Sequence, residues 1–340
     1  MYEKYNIEER CRKILEDNGG FIADKARTIL LEDPALKDLR QPLEFISKNW
    51  RDLTPALMSL SCEAVGGRPE ETYDSALAIC LMHLSFYLWD DIIDNARSKS
   101  FKQTLFGKFG TGTSLIIGGL ASAKAFSILN EMAIEKKKRQ TIANLVWELW
   151  TTMARAETVT LRLQGQKIPS HRKKFLKIKT EAQDTETCLR IGAIVGNGSE
   201  SEINHLGKYG LCLGIIVKLW NDFRVSVNLT LELAEKMRSG KLPYSLMWAR
   251  DQSETLQKKL NALIGKNTIQ QNQIKEIVQE TLATKALEYT ARNIEKYMKK
   301  AKNELTYLKK NSASQTLESF IDFQPRLFME SLSLSQAQDG

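Results

Sequence analysis

Three aspartates stand close together in the segment Asp90-Asp91-Ile92-Ile93-Asp94. Asp90 and Asp94 are four residues apart, so on a helix their carboxylates project from one face, with Asp91 beside them. Carboxylates this close repel one another, and a hard cation such as Mg²⁺ offsets that repulsion while keeping coordination positions open for phosphate oxygens. A bare acidic cluster is usually a solvated helix face. The apolar and aromatic residues just before this one favour a Mg²⁺ site at the edge of an apolar cavity.

A second segment ends an apolar run with oxygen-bearing side chains. The run covers residues 211–220 and is followed by Asn221-Asp222-Phe223-Arg224-Val225. The amide oxygen of Asn221 can ligate Mg²⁺ as a carboxylate does. The chain therefore carries two segments in which oxygen ligands follow an apolar helical stretch.

Helices must position both segments. Proline is absent between Pro69 and Pro169 and between Pro169 and Pro243, and apolar residues recur there at three- and four-residue spacing. Helix breaks are predicted near Gly66-Gly67 and over 107–112, 167–170, 196–200 and 240–243. With no alternating strand-like runs, the fold class is all-α. We expect a single-domain bundle of long helices over residues 1–330 and a disordered tail over 331–340.

Composition narrows the class of protein. The 340 residues have a net charge of +8, but Lys and Arg alternate with Glu and Asp along the chain, which disfavours a nucleic-acid-binding tail. The five cysteines form no Cys-x-x-Cys pair and are expected to be reduced core residues. No signal peptide and no transmembrane segment is predicted, so cytoplasm is the expected location.

The ordered set of motifs resembles the trans-isoprenyl diphosphate synthases, the polyprenyl synthetases, and the related class I terpene synthases. The first motif matches their Asp-Asp-x-x-Asp, with His83 one helical stretch upstream. The other matching elements, in chain order, are Gly66-Gly67, Gly165-Gln166, Lys179-Thr180, Tyr209-Gly210, Gly214 and Gly240-Lys241 followed by Pro243. The resemblance runs from about residue 20 to 330. It implies the isoprenoid synthase fold, helices facing one another around an apolar cavity, a prenyl diphosphate substrate, Mg²⁺ as the cofactor and a homodimer.

The resemblance also assigns roles to residues. The metal ligands are Asp90, Asp91, Asp94 and Asn221, joined by Asp222, and the first four are the catalytic set. Cations that could neutralise the diphosphate are Lys179, Lys218, Arg224 and Lys241. Phe86 and Tyr87 are expected to line the pocket, where aromatic faces would stabilise a passing carbocation.

Several positions depart from the family pattern. The Gly-Lys-Arg element that binds isopentenyl diphosphate reads Trp50-Arg51-Asp52 here, so only Arg51 keeps a positive charge and Asp52 would repel a diphosphate. The Arg-Arg-Gly pattern after the first motif is replaced by Arg97, Lys99 and Lys102. In the second motif, Asn221 replaces the first aspartate, Val225 replaces the third, and Lys218 replaces a glutamine. A shifted frame would place Asp222, Ser226 and Thr230 on one face.

Three functions fit this pattern. The first is ionisation of one allylic prenyl diphosphate, after which the carbocation cyclises, rearranges or meets water. The second is chain elongation, with Arg51, His83, Arg97 and Lys99 forming a rebuilt site for isopentenyl diphosphate. The third is a regulatory subunit of a prenyl synthase, which the weakened second motif favours and the intact first motif opposes. The departures favour the first function, and the family base rate favours the second.

Overall fold

The fold is built almost entirely from α-helices, which confirms the predicted class. The structure is a computed structural model that describes residues 13, 20–47, 54–99, 102–163, 170–227, 229–266 and 268–322. The α-helices are α1 (Gly20–Leu31), α2 (Arg40–Ser47), α3 (Thr54–Ala64), α4 (Tyr73–Ile93), α5 (Leu105–Glu131), α6 (Lys136–Leu163), α7 (His171–Glu181), α8 (Gln183–Val195), α9 (Glu200–Val227), α10 (Leu231–Ser239), α11 (Tyr244–Gln252), α12 (Glu254–Leu263), α13 (Gln271–Ala283) and α14 (Ala286–Leu305).

Short elements complete the chain. Two 3₁₀ helices cover Pro34–Leu39 and Pro69–Thr72, and residues 312–322 are also helical. Strands β1 (Ser98–Lys99) and β2 (Lys102–Gln103) pair antiparallel between α4 and α5. The chain divides into two compact units, the first Met1–Glu148, Thr185–Lys208 and Glu304–Phe323, the second Leu149–Asp184, Tyr209–Asn303 and Gln324–Gly340. The single domain over 1–330 stays a prediction, and the predicted tail lies outside the described residues.

The core of the first unit is the long pairing of α4 with α5. Helix α4 is apolar on nearly every side, and its buried residues include Leu77, Ile79, Leu81, Leu84 and Leu88. Burial of each such side chain contributes roughly 1.5–3 kcal/mol before entropy is counted. A helix that is enclosed on most sides has little freedom to shift, so its C-terminal end is held in a fixed position.

The second unit has its own core. Helix α11 packs against α7, α12 and α13, and α10 packs against α12. The apolar cluster at its centre includes Val225, Leu233, Leu246, Leu256 and Leu260, all at most 2% exposed. Helix α9 therefore contributes its last turn, through Val225, to this core.

Most of the predicted helix breaks are present. The chain leaves helix after Ala64, after Val195 and after Ser239, as expected. The break predicted over 107–112 is wrong, because α5 begins at Leu105 and continues through this segment with a kink at Gly110, where φ is 80° and ψ is 178°. Glycine has no Cβ and adopts that conformation without a steric clash, so Gly110 bends the helix without ending it. The break predicted over 167–170 falls mainly outside the described residues.

Two helical stretches, Pro69–Ile93 and Leu105–Glu131, have the length and apolarity of a membrane span. In the first, 67% of the most apolar window is buried within the protein, as in the core helix of a globular fold. The cysteine prediction is confirmed at Cys62, Cys80, Cys188 and Cys212, which are buried and form no disulfide bond. Cys11 lies outside the described residues.

Candidate active site

Helix α4 ends within the acidic motif itself. The backbone N–H of Asp94 donates to Asp90 O at 2.8 Å, and the N–H of Ala96 donates to Asp91 O at 2.8 Å. Asn95 has a left-handed φ of 50°, which turns the chain away from the helix axis. Asp90, Asp91 and Asp94 thus occupy the last turn of a buried helix, as predicted.

The turn that carries the motif is locked against α5. The hydroxyl of Ser85 donates to Gly118 O at 2.7 Å and accepts from the Ser122 hydroxyl at 2.8 Å. One turn further along α4, the Trp89 indole lies so close to Gly118 that a Cβ there would be 2.5 Å from Trp89 Nε1. These contacts fix α4 immediately before Asp90.

A lysine from the hairpin lies against two of the three carboxylates. Lys99 Nζ is 3.0 Å from Asp90 Oδ2 and 2.6 Å from Asp91 Oδ1. The hairpin is held by Thr104, which donates its hydroxyl to Ala96 O at 2.7 Å and accepts the Gly107 N–H at 2.9 Å. Lys99 was predicted to bind substrate, and the structure places it against the acidic motif.

Burial and the neighbouring Lys99 ammonium shift the pKa of Asp91 in opposite directions. Burial raises the pKa of Asp91, and the neighbouring charges of Asp90 and Asp94 raise it further, while Lys99 lowers it. Burial lowers the pKa of Lys99, but the Asp90 and Asp91 charges outweigh that effect, so its pKa is raised overall. The Lys99 ammonium thus contacts two of the three carboxylates of the motif, Asp90 and Asp91.

The donor set fits a divalent cation. All three side chains offer carboxylate oxygens, the ligands that hard cations prefer. Asp91 Oδ1 is buried, and the Lys99 ammonium beside it makes a charge contact without the alignment of a regular hydrogen bond. Asp90 is 40% exposed at its side chain, which leaves the site open to an entering ion.

The other side chains predicted near this motif have varied environments. His83 is 5% exposed within α4, Phe86 is half-buried and Tyr87 is 54% exposed. The Arg97 guanidinium lies 5.1 Å from the centroid of the Phe106 ring. Arg51, with the rest of the eroded Gly-Lys-Arg element, lies outside the described residues.

The second motif lies in the second unit and retains one carboxylate, that of Asp222. Asn221 is exposed, and Val225 is 2% exposed in the apolar core. Asp222 Oδ2 accepts the backbone N–H of Tyr244 at 3.0 Å and lies 3.3 Å from Lys174 Nζ. Asp222 therefore caps the first turn of α11, a structural role that the sequence analysis missed.

Lysines surround the carboxylates of this unit. Lys218 Nζ is 3.0 Å from Glu181 Oε2, and Lys177 contacts Glu181 at 3.9 Å and Glu157 at 3.2 Å. Burial would raise the pKa of Glu181, but the charges of Lys218, Lys177 and Lys174 outweigh it and lower the pKa. Burial lowers the pKa of Lys218, but the charges of Glu181, Asp184 and Asp222 outweigh that effect, so its pKa is raised overall.

The remaining predicted cations lie in other contacts. Lys179 is exposed, with its ammonium 5.5 Å from the Phe175 ring centroid, and Arg224 lies 3.6 Å from Glu232. Lys241 is exposed after the end of α10. The shifted frame of the second motif is not supported, because α9 ends at Val227 and Thr230 is the N-cap of α10.

Sequence reasoning could have found part of this arrangement. Lys174, Lys177 and Glu181 are spaced by three and four residues, which places them on one face of α7. The contact between Asp222 and the Tyr244 backbone spans 22 residues and has no local signal.

The comparisons with known proteins agree on the family. The model of the family described as polyprenyl synthetase matches residues 37–281. A putative chloroplastic geranylgeranyl pyrophosphate synthase of Arabidopsis thaliana is 26% identical over 67% of this chain and 69% of its own length.

Solved structures share the fold. The geranylgeranyl pyrophosphate synthetase of Pyrococcus horikoshii superposes with a TM-score of 0.82 at 22% identity, over 93% of this chain and 98% of that one. A polyprenyl synthase of Caulobacter crescentus, solved with calcium and isoprenyl diphosphate, superposes with a TM-score of 0.79 at 19% identity, over 93% and 97% of the two chains. With the family model covering most of its length, this chain belongs to the polyprenyl synthetase family of enzymes.

Proposed function

We propose that this protein uses Mg²⁺ to ionise an allylic prenyl diphosphate and joins the resulting carbocation to isopentenyl diphosphate. The observation that carries the proposal is the cluster of Asp90, Asp91 and Asp94, three carboxylates at the end of a helix that is buried on most sides. Such a cluster attracts a divalent cation and, through it, the phosphate oxygens of a substrate.

The residues of the cluster have distinct tasks. Asp90 and Asp94 would hold the cation from one face of α4, with the buried Asp91 supporting them. Bound Mg²⁺ would stabilise the negative charge that develops on the departing diphosphate. Lys99 contacts Asp90 and Asp91, and its ammonium would be available to the diphosphate if a metal took those carboxylates.

Chain elongation is favoured by the similarity of this sequence to prenyl synthases. The relatives reported above are named as prenyl synthases, and the family match extends over both metal motifs. In elongation, the allylic C–O bond breaks and its electron pair leaves on the diphosphate. The double bond of isopentenyl diphosphate supplies the new C–C bond, and loss of a proton restores a double bond. His83, Arg97 and Arg51 remain the predicted contacts of the second diphosphate.

A second candidate is capture of the cation without a partner substrate, by cyclisation or by water. The loss of the Gly-Lys-Arg element, with Asp52 in place of a cation, favours it, because a negative charge there opposes a second diphosphate. Phe86 and Tyr87 are the predicted aromatic residues that would stabilise the cation.

Incubation of the purified protein with Mg²⁺ and allylic diphosphates of several lengths separates these candidates. Elongation gives a longer prenyl diphosphate only when isopentenyl diphosphate is present. Release of diphosphate from the allylic substrate alone, with a hydrocarbon or alcohol product, establishes the second candidate instead. If neither occurs, but the product length of an active synthase changes on mixing, the protein is a regulatory subunit.

The proposal extends to assembly and location. We expect a homodimer, as the family resemblance implies, and the cytoplasm as the default location. Light scattering of the purified protein gives the mass: a value of one chain contradicts the dimer.

A further inference from the structure

We infer that the second motif holds no divalent cation in this protein, and that lysine ammonium groups of the same unit stand in its place. The inference extends the proposed function, on which it rests only in taking the first motif as the metal site. Its basis is the contacts of Asp222 and Glu181 within the second unit.

The donor set of the second motif is too poor for a metal. Val225, which stands where the family has its third aspartate, is 2% exposed in the apolar core and offers no ligand atom. Asn221 is exposed and carries an uncharged amide. Asp222 is the one carboxylate that the motif retains.

That carboxylate already has two partners. Asp222 Oδ2 accepts the Tyr244 N–H at 3.0 Å and faces Lys174 Nζ at 3.3 Å, with its side chain 14% exposed. A cation at Asp222 would have to displace the ammonium, and binding through the same oxygen would weaken the cap on α11. The ion pair of Asp222 with Lys174 has no net charge, so little electrostatic attraction remains for Mg²⁺.

The neighbouring carboxylate is neutralised in the same way. Glu181 lies 3.0 Å from Lys218 and 3.9 Å from Lys177, and the charges of these lysines and of Lys174 keep its pKa low. Lys218 occupies the position of a neutral glutamine in the family pattern. Compared with the family pattern, the motif has therefore lost two acids, at Asn221 and Val225, and gained one base, Lys218.

The first motif differs in the number of carboxylates that it offers to a divalent cation. There, three carboxylates stand within five residues at the end of α4, and Lys99 contacts two of them, Asp90 and Asp91. In the second motif, Lys174 cancels the charge of Asp222. A cation that binds carboxylates by charge is expected to choose the first motif by a wide margin.

Titration of the full-length protein with Mn²⁺, followed by electron paramagnetic resonance with and without inorganic pyrophosphate, tests the inference. Asp222→Asn keeps an acceptor for the Tyr244 N–H, and it should leave the number of bound Mn²⁺ ions unchanged and their affinity within twofold. Lys174→Met frees Asp222 from its counter-charge and should raise Mn²⁺ binding at least threefold at subsaturating metal. Circular dichroism checks that each variant is folded.

The opposite results overturn the inference. If Asp222→Asn removes a Mn²⁺ ion, or if Lys174→Met binds no more Mn²⁺ than the wild type, the second motif is a metal site or the lysine is no substitute for one. Asp90→Asn in the same titration reports on the proposed function separately. Loss of Mn²⁺ there supports the first motif as the metal site, and unchanged binding overturns the proposed function whatever Asp222→Asn does.

Discussion

The Trp89 indole lies against the backbone of Gly118, so closely that a Cβ on that glycine would be 2.5 Å from Trp89 Nε1. Trp89 directly precedes the acidic motif, and Gly118 lies in the middle of α5. The contact between them sets the distance between α4 and α5 just before the acidic motif.

Gly118→Ala should therefore destabilise the protein and move the end of α4. Overpacking a tight contact costs roughly 1–3 kcal/mol, which exceeds the gain of up to about 1 kcal/mol from replacing a helical glycine. Urea unfolding measures the loss. Gly119→Ala is the matched control, because no atom lies within 4 Å of its added methyl, and it should be neutral or stabilising. Equal stability of the two variants would contradict the assigned contact.

Gly110→Ala tests the kink in α5. The backbone there has φ 80° and ψ 178°, a conformation that costs a residue with a Cβ roughly 1–3 kcal/mol. We expect a lower midpoint of urea unfolding for this variant. Gly112→Ala introduces the same methyl two residues away at an ordinary φ, with nothing within 4 Å, and should not lower the midpoint.

Asp90→Asn should remove most of the activity without unfolding the protein. Loss of one charged ligand for the cation that stabilises the leaving diphosphate is expected to lower kcat by roughly 100-fold or more. Release of diphosphate from an allylic substrate measures the rate. Asp38→Asn, an exposed position in the 3₁₀ helix Pro34–Leu39, serves as the control. A rate near that of the wild type for Asp90→Asn would exclude Asp90 as a metal ligand.

Asp222→Ala should lower stability even though Asp222 belongs to a metal motif in the family. Removing a side chain that accepts from the first turn of a helix costs roughly 0.5–2 kcal/mol. Asp222→Asn retains an acceptor and should lose less. Thermal unfolding of the two variants gives the comparison, and an Asn variant that is less stable than the Ala variant would refute the capping role.

The pH dependence of stability should include a contribution from Asp251. Burial raises the pKa of Asp251, but hydrogen bonds from Arg250 and from the backbone and ring of His171 outweigh it, so the folded-state pKa is lowered. A carboxyl with a lowered folded pKa stabilises the fold above its unfolded pKa of about 3.9, and that contribution is lost as pH falls through the folded value.

The free energy of unfolding of the wild type should thus exceed that of Asp251→Asn by roughly 1–3 kcal/mol near neutral pH. The difference should shrink as the pH falls below about 4, because the carboxyl becomes protonated first in the unfolded state and then, at lower pH, in the folded state. Urea unfolding at a series of pH values measures it. A difference that stays constant down to pH 3 would show that charge plays no part in the Asp251 contacts.

The sequence was a good guide wherever the information is local. The spacing of the aspartates and the apolar run before them predicted both the helix and its acidic end. Three glycines over 107–112 predicted a break, yet the structure shows only a kink, because packing along α4 holds α5 together despite its poor helix propensity. The glycines indicate a low intrinsic helix propensity, but they do not reveal the tertiary contacts that outweigh it.

Other features were beyond reach because they depend on distant partners. Lys218 and Arg224 were assigned to a diphosphate from their charge, whereas their acidic neighbours Glu181 and Glu232 become visible only in three dimensions. The cap that Asp222 provides for α11 needs the Tyr244 backbone, which no pattern around the motif indicates. A motif identifies residues that could bind metal or substrate, but only the folded structure shows which of them already contact other groups of the protein.

The burial of Val225 makes the loss of the third acid hard to reverse. Leu233, Leu246 and their neighbours pack around this side chain in the core of the second unit. Returning an aspartate to position 225 would place a charge among them at a cost of several kcal/mol, comparable to the whole stability of many domains. An aspartate at this position would therefore need compensating changes in the surrounding core before the protein could tolerate it. The packing of the second unit thus protects Val225 from replacement by an acid, whatever cation such an acid could bind.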